Sequence, residues 1–434
     1  MIYHKTLKSI RRHYGLTPED LSEKTGYYVP YINAIEDPKN EVPATPEFVQ
    51  ALRDALGLED APITENERGE LLGRLEKWKA MIDYGDMDRA AKLKQKLEYD
   101  TRRSFSTSTQ LMLELFTASY YRAIEDFDAC YKLMDALSLR KDEFNAKHFY
   151  FYHRLVGVRA FTEGRFRDAV NALTKAEKME RQLRREEVGF YYLYGACLSD
   201  MGYVANAIEN LRKAKYFATW KKVYNGQPNS RFDCYIDGYL AYNLGMIGRN
   251  IEAFRILHKR LRIEKESGNK ETIGFTYHSI GSVYMVMKQY DEAVINFDVA
   301  LENLCKKRDA YKSALCRKAL SLLRSGKESE CVSCVEKGLS VCSESDIVWR
   351  AMLLGLKYSA TLHDNESVIR LENEAIRILT DYGYQDAVDF YEILYDFFMR
   401  TGDKDRALKY SALGMKAYKR LYEERMEGGM RNEA

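Results

Sequence analysis

Proline and histidine are both scarce in this chain, with 7 of each in 434 residues. Nearly all of the prolines lie in the first 62 residues, so the rest of the chain is almost free of the residue that interrupts helices. No apolar run approaches the ~20 residues of a membrane span, and no secretory apolar segment opens the chain. The 67 basic and 65 acidic residues nearly balance at a formal charge of +2. We therefore expect a cytoplasmic protein that does not act at a membrane or as a bulk polyelectrolyte.

The sequence also lacks the short motifs that accompany catalysis: the glycine-rich dinucleotide loop, the phosphate loop, the nucleophile elbow and the zinc-protease histidine pair. Most of its 8 cysteines are scattered through predicted helices as small apolar core residues. Cys331 and Cys334 have a spacing that suits metal or redox chemistry, but no second pair or histidine accompanies them. We favour a structural role for this pair, and we predict no enzyme activity, no cofactor and no metal site.

A two-residue phrase recurs along most of the chain. It joins a turn residue, usually Gly, to a small apolar residue five positions later, and the second members lie 39, 40, 38, 46, 40, 38, 37 and 39 residues apart. Gly suits the turn between two helices, and Ala lets them cross closely. A period of this size is typical of stacked helical hairpins. The pairs are Gly85 and Ala90, Ile124 and Ala129, Gly164 and Ala169, Gly202 and Ala207, Gly248 and Ala253, Lys288 and Ala293, Gly326 and Cys331, His363 and Val368, and Gly402 and Ala407.

The clearest copy follows the tetratricopeptide order of aromatic, small and turn residues. It is the series Tyr277, Ile280, Gly281, Tyr284, Lys288, Tyr290 and Ala293. A composition of 46% hydrophobic and 12% aromatic residues agrees with a folded, helix-rich chain. We predict an all-α protein in which residues 71–425 form a right-handed superhelix of about nine tetratricopeptide-like hairpins, followed by a disordered tail at 426–434.

The first 60 residues do not show this period and contain five of the prolines. We predict helices from Tyr3 to Tyr14, from Thr17 to Thr25, from Tyr28 to Glu36 and from Thr45 to Leu56, because Thr before Pro suits a helix start and Gly a helix end. One small core is expected from Leu7, Ile10, Leu16, Leu21, Ile32, Ile35, Phe48, Leu52 and Leu56. Residues 1–60 are thus predicted as a separate domain, with a linker at 61–70.

In a helix-turn-helix, a short helix and a Gly turn are followed by a second short helix, which enters the DNA major groove. Residues 5–58 resemble the lambda-repressor-like (XRE) family in the series Leu16-Thr17, Leu21-Ser22, Thr25-Gly26, Ile32-Asn33 and Ile35-Glu36. The resemblance implies that base edges are contacted by Tyr27, Tyr28, Tyr31 and Asn33, with Asn33 as the main reader. Phosphates are expected to be met by a cluster on the first helix: Lys5, Lys8, Arg11 and Arg12.

The resemblance has one departure. Pro18 and the aromatic residues of the third helix stand where that family usually has Gln and polar or basic residues. The first 60 residues also carry more acidic than basic side chains. Both features favour a weak reader that needs two copies on DNA. The alternatives are a module kept for docking or dimerisation, and tyrosines that close the core of their own domain.

An XRE-like domain followed by hairpins of about forty residues resembles, over the whole chain, the RRNPP family of bacterial peptide-sensing regulators. The resemblance implies a homodimeric transcription factor. Its repeats would bind a short signalling peptide and thereby switch binding to a palindromic operator in double-stranded DNA. Two alternatives share the repeats: a response-regulator-binding, phosphatase-like adaptor, and a protein-protein scaffold whose amino-terminal domain is idle.

In the tetratricopeptide register, the first helix of each hairpin lines an inner groove. Asn243, in the phrase Tyr242-Asn243-Leu244-Gly245, resembles the groove Asn of peptide-binding family members. Arg154 is the candidate for a peptide carboxylate, since a guanidinium grips one with two hydrogen bonds. The alternative for the aromatic and Met residues is hairpin core, and for His278 a neutral, hydrogen-bonded state. The predicted peptide-binding set is Arg154, Phe161, Tyr192, Asp200, Tyr242, Asn243, Met246, Phe275 and His278.

Overall fold

The structure is a computed structural model that describes residues 4–40, 42–58, 62–163, 165–183, 187–225, 230–306, 308–344, 346–381 and 387–430. These residues form helices joined by turns, with no strand among them. The first four helices, which we call the headpiece, agree closely with the predicted bounds. They are α1 (His4–His13), α2 (Pro18–Thr25), α3 (Val29–Glu36) and α4 (Pro46–Leu56).

Local capping explains where the headpiece helices begin and end. The Thr17 hydroxyl accepts the backbone N–H of Asp20, and the Asp20 carboxylate accepts the backbone N–H of Thr17 at 2.7 Å. This reciprocal pair satisfies two N–H groups that a helix start leaves open. Gly26, at φ 75°, then ends α2 in the left-handed conformation that Gly adopts without strain.

The headpiece core contains every apolar residue predicted for it. Leu16 and Leu56 lie at its edge, and Ala44 joins it. The fully buried members are Leu7, Ile10, Leu21, Ile32, Ile35, Phe48 and Leu52.

The repeats begin with α5 (Glu65–Tyr84) and α6 (Met87–Arg103), α7 (Thr107–Ala123) and α8 (Phe127–Ser138), and, after a 3-10 turn at Lys141–Glu143, α9 (Ala146–Thr162) and α10 (Phe166–Leu183). They continue with α11 (Val188–Asp200) and α12 (Val204–Asn225), α13 (Ser230–Met246) and α14 (Asn250–Ser267), α15 (Lys270–Val286) and α16 (Tyr290–Asn303), and α17 (Asp309–Arg324) and α18 (Glu328–Val341). Then come α19 (Ile347–Ala360), α20 (Asn365–Leu371), a π turn at Glu372–Ile376, α21 (Arg377–Asp381), α22 (Ala387–Thr401) and α23 (Lys404–Met430). Among these described helices, none has both the length and the hydropathy that a bilayer crossing requires.

The recurring phrase marks the turns and crossings of these helices. Seven of its second members are wholly buried, at 0% exposure: Ala90, Ala169, Ala207, Ala253, Ala293, Cys331 and Ala407. Within the first helices, small residues allow close approach: a Cβ on Gly281 would lie 2.9 Å from Cε1 of Phe297. Lys288 takes the left-handed turn conformation at φ 60°, and in the degraded second copy Glu125, at φ 64°, takes it instead of Ile124. Gly164 lies outside the described residues.

Two predicted boundaries differ from the structure. Helix α5 begins at Glu65, inside the predicted linker, because Thr64 and Glu67 form a reciprocal cap like that of α2. Helix α23 runs to Met430, into the segment predicted as a disordered tail.

The chain divides into two compact units. The first contains Met1–Leu155 and Lys175–Arg185, and the second contains Val156–Thr174 and Glu186–Ala434. The headpiece therefore shares a unit with the first hairpins. Phe105, in the turn between α6 and α7, packs against the headpiece core, which explains why no division falls near residue 60.

Candidate functional site

Aromatic side chains from the first helices of three successive hairpins meet on one face of the second unit. Tyr192 on α11 stacks on Tyr235 of α13, with ring centroids 6.1 Å apart. Tyr239, one turn after Tyr235, meets the same Tyr192 ring edge-on at 6.1 Å. Tyr235 in turn meets Phe275 of α15 edge-on at 4.4 Å. These contacts form a continuous aromatic ladder across α11, α13 and α15.

The face is closed by an arginine from the next hairpin. The Cζ atom of Arg317, on α17, lies 5.2 Å from the centroid of the Tyr242 ring on α13. Because α15 lies between α13 and α17 in the stack, the side chain of Arg317 reaches across α15 on this face. We call this face the aromatic groove, and its members are Tyr192, Asp200, Tyr235, Tyr239, Tyr242, Phe275, His278 and Arg317.

His278 enters the groove as a neutral side chain. Its Nε2 lies 3.1 Å from the Ser313 hydroxyl, and its ring stacks on Phe275 with centroids 5.9 Å apart. Burial, reinforced by the charge of Arg317, lowers the pKa of His278 from 6.5 to about 3. The imidazole is thus uncharged near neutral pH, as the neutral, hydrogen-bonded alternative anticipated.

Tyr239 lies near the two charged residues of the groove, Asp200 and Arg317. Its hydroxyl donates to Oδ2 of Asp200 across 3.5 Å. Burial and the Asp200 carboxylate raise the pKa of Tyr239, and Arg317 acts in the opposite direction. The phenol of Tyr239 therefore keeps its proton. The groove thus contains one acidic residue, Asp200, and one basic residue, Arg317, among neutral aromatic side chains.

Asn243 lies beneath the groove and is 0% exposed. Its Nδ2 donates to the Ser199 hydroxyl at 2.7 Å and to the Tyr239 carbonyl at 2.8 Å. Its buried Oδ1 has no hydrogen-bond partner among the described residues. The donors of the amide thus join α11 to α13, whereas the sequence predicted that the side chain would face the groove directly.

The other predicted groove residues have different surroundings. Arg154 belongs to the first unit, where its Cζ lies 5.6 Å from the Tyr150 ring of its own helix. Phe161 packs on Phe166 across the α9–α10 turn at 5.5 Å. Met246 is the last residue of α13 and is 41% exposed. The described contacts bring together only part of the predicted set, namely Tyr192, Asp200, Tyr242, Phe275 and His278, with Asn243 beneath them.

Three groove residues were missed by the sequence analysis. Tyr235 and Tyr239 precede Tyr242 by seven and three positions, which places all three on one helical face, so their spacing was a usable signal. Arg317 had no such signal, because its hairpin is a degraded copy of the repeat and its contact is with a helix two hairpins away.

A buried ionic cluster supports α13 away from these rings. Asp237 of α13 accepts hydrogen bonds from Lys215 of α12 at 2.5 Å and from Arg260 of α14 at 2.8 Å. Arg260 also pairs with Glu264, which is 0% exposed. Charges removed from water in this way need their partners, so the cluster ties α13 firmly to both neighbours.

Acid should weaken the second unit through His278. The folded pKa is about 3 and the ordinary value 6.5, so between these pH values the unfolded chain binds a proton that the folded chain does not. Stability is therefore highest above pH 6.5 and falls as the pH falls, by about 1.4 kcal/mol per pH unit for one histidine. In urea titrations, the free energy of unfolding of His278→Gln should fall by about 2 kcal/mol less than that of the wild type between pH 6.5 and pH 5. An identical pH dependence in the two proteins would contradict this assignment.

The headpiece presents a small exposed surface on α3. Tyr28, immediately before α3, is 84% exposed, and Asn33 is also exposed. Tyr27 and Tyr31 instead pack edge-on against Phe48, with centroids 4.9 and 5.5 Å away. The predicted base-reading tyrosines thus divide into one that faces solvent and two that are anchored on the headpiece core.

The residues of α1 that were predicted to contact phosphates also have different surroundings. Arg12 is exposed, Lys8 is half-buried, and the side chain of Lys5 lies outside the described part of the chain. Arg11 binds both carboxylate oxygens of Glu36 at 2.7 Å and the Leu16 carbonyl at 2.8 Å. This guanidinium joins α1 to α3, which is a structural role.

The cysteine pair has no reactive character in this structure. Cys331 and Cys334 are both buried on α18. Burial raises the pKa of Cys331 to about 12 and that of Cys334 to about 11. Both thiols therefore stay protonated at neutral pH, which favours the structural interpretation.

Comparison with known proteins finds similarity in both sequence and fold. No protein-family model matches the chain. Over 277 residues, it is 23% identical to the transcriptional activator NprA of Geobacillus stearothermophilus, a match that covers 63% of this chain and 66% of that protein, slightly less than two-thirds. The chain thus resembles RRNPP peptide-sensing regulators.

Solved structures of RRNPP proteins share its repeat fold. A Rap protein in complex with competence and sporulation factor matches with a TM-score of 0.71 at 16% identity, covering 82% of this chain and 99% of that one. NprR in complex with its cognate peptide NprX matches with a TM-score of 0.67 at 17% identity, covering 81% and 99%. The predicted all-helical, tetratricopeptide-like fold is confirmed, while function has to be argued from the residues of this chain.

Proposed function

We propose that this protein is a transcriptional regulator that binds a short signalling peptide in its aromatic groove and DNA through its headpiece. The groove is the observation that carries the proposal. It combines aromatic walls, one acid, one base and a neutral histidine within a repeat fold like that of NprR bound to NprX. Aromatic walls with a few placed polar groups are what an extended peptide requires.

Asn243 gives the groove a second means of recognising a peptide backbone. A buried acceptor without a donor costs about 1–3 kcal/mol. Because Asn243 is wholly buried, a ligand N–H would reach its Oδ1 only after the rings above it moved apart; it would then remove that cost, while Nδ2 kept its bonds to Ser199 and Tyr239. Peptide binding would then tighten the junction between α11 and α13.

In the headpiece, we propose that α2 and α3 form a helix-turn-helix with α3 in the major groove. Exposed Tyr28 and Asn33 would contact base edges, and Lys8 and Arg12 would contact phosphates. Tyr27 and Tyr31 hold α3 in place through Phe48. Because so few cations face the DNA, a homodimer on a palindromic operator is the expected binding form.

The headpiece is attached to the first repeats by a specific contact. Phe105, at φ 49°, places its ring 5.4 Å from His13 and 6.1 Å from Tyr14 at the end of α1. Arg68 of α5 donates to the Ser9 hydroxyl of α1 at 3.2 Å. A shift of these hairpins would therefore move the headpiece with them, which is the coupling that a peptide switch needs.

We further propose the repeat count and domain limits expected from the sequence. The helices from α5 to α23 then correspond to nine hairpins, with the helices from α19 to α21 making up the eighth. DNA binding distinguishes this regulator from the two alternatives, an adaptor for response regulators and a scaffold, because neither requires an exposed Tyr28 and Asn33.

A selection of random DNA duplexes by the full-length protein tests the proposal. We expect enrichment of a palindrome, bound with an affinity that falls steeply with salt. Asn33→Ala should then lose about 1–3 kcal/mol of binding free energy and relax selection at one base pair. Gln50→Ala, an exposed position on α4, is the matched control and should bind as the wild type does. Failure to enrich any duplex would leave the adaptor and the scaffold as the surviving functions.

A further inference from the structure

Arg317 brings a positive charge into the groove from α17. Its guanidinium lies over Tyr242 at 5.2 Å, and the side chain is half-buried. Ser313, one turn earlier on α17, lies 3.1 Å from Nε2 of His278 on α15. This part of α17 thus meets side chains of both α13 and α15 on the groove surface.

Apart from Asp200, the groove side chains around this guanidinium are aromatic or neutral. His278 is uncharged near neutral pH because its pKa is about 3, and the phenol of Tyr239 keeps its proton. Asp200, the acid of the groove, accepts the Tyr239 hydroxyl. A guanidinium has five N–H donors, so a contact within the chain does not exhaust them. The site has the chemistry to receive an anion.

We propose that Arg317 binds a carboxylate of the peptide that occupies the groove. The inference rests on the proposed function and names a charge that the ligand must carry. A planar guanidinium holds a carboxylate through two parallel N–H···O bonds. Stacking on Tyr242 restrains the plane of the guanidinium, so less conformational freedom is lost when a ligand binds. The carboxylate is either the carboxyl terminus of the peptide or an Asp or Glu side chain.

This assignment adds a second candidate to the one that the sequence indicated. Arg154, the first candidate for the peptide carboxylate, lies in the first unit beside Tyr150. Arg317 instead lies among the groove rings, where limited access of water strengthens a charge-assisted bond. Arg317→Lys separates charge from shape, because a lysine keeps the charge but loses the fork and the planar stack.

The test uses the full-length protein and two synthetic positional-scanning libraries of hexapeptides, one with free carboxyl termini and one with terminal amides. Peptides that co-elute with the protein in gel filtration are identified by mass spectrometry. The wild type should prefer free acids about tenfold if it binds the terminus. It should enrich Asp or Glu at one position of both libraries if it binds a side chain. Arg317→Gln should bind the selected peptide at least about tenfold more weakly, with Arg317→Lys in between.

Lys318→Gln is the matched control. It removes a cation from the same helix, but Lys318 pairs with Asp298 of α16 at 2.6 Å, so the selection should not change. If the wild type retains peptides without any preference for a carboxylate, or if Arg317→Gln keeps that preference, the assignment is overturned while peptide binding stands. If the wild type retains no peptide from either library, the proposed function fails and the assignment fails with it. The comparison of the free-acid library with the amide library needs only the wild type. It therefore tests the preference for a carboxylate even if Arg317→Gln does not fold.

Discussion

Replacing Glu36 by Ala should unfold the headpiece while the second unit stays folded. The side chains of Arg11 and Glu36 are only 14% and 8% exposed, and both carboxylate oxygens accept from the guanidinium at 2.7 Å. Removing the acid leaves a cation in a site largely closed to water. Such a loss costs about 3–5 kcal/mol, which is comparable to the whole stability of a small helical domain. Hydrogen exchange should show loss of protection in α1 to α4, and DNA binding should be lost with it.

Glu47→Ala is the control, because Glu47 is an exposed acid in the first turn of α4. It should leave the headpiece folded. The double replacement Arg11→Met with Glu36→Leu should recover much of the stability, since apolar residues of similar size often replace a buried ion pair without loss. If Glu36→Ala kept full protection in α1, the pair would not have the structural role assigned to it.

Replacing Arg260 by Ala should disrupt the support of the groove. The change leaves Asp237 and Glu264, which are 7% and 0% exposed, without their shared cation. We expect the free energy of unfolding of the second unit to fall by about 3–5 kcal/mol. Because Asp237 lies on α13 between Tyr235 and Tyr239, peptide binding should weaken as well.

Arg255→Ala removes an exposed arginine from the same helix and should change the stability by no more than about 0.5 kcal/mol. Urea unfolding followed by circular dichroism measures both variants. The free energies of unfolding of Arg260→Ala and Arg255→Ala should differ by several kcal/mol. Equal urea midpoints would mean that Lys215 alone compensates the carboxylates of Asp237 and Glu264.

Several features could be predicted from the sequence because they depend on nearby residues. Thr17 with Asp20, and Gly26, define the start and end of α2 through bonds within one turn of the chain. The small residue five positions after each turn is buried for the same reason in almost every hairpin. The start of α5 was missed although Thr64 and Glu67 form the same kind of capping box.

Other features could not be predicted because they depend on which helices meet. Arg11 was expected at phosphates, but Glu36, 25 positions later, binds it. Asn243 was expected to face the groove, but Ser199 of the preceding hairpin takes its amide. In both cases the partner is distant in the chain, and the helical period gives only the face of a residue, not what packs against that face.

By itself, the sequence determined the helices, the repeat and the small residues at each crossing, because each of these follows from turn chemistry and burial within one hairpin. Only the tertiary structure decided which side chains form the groove. It added Tyr235, Tyr239 and Arg317, because helices from several hairpins must pack together before their first-helix side chains share one surface.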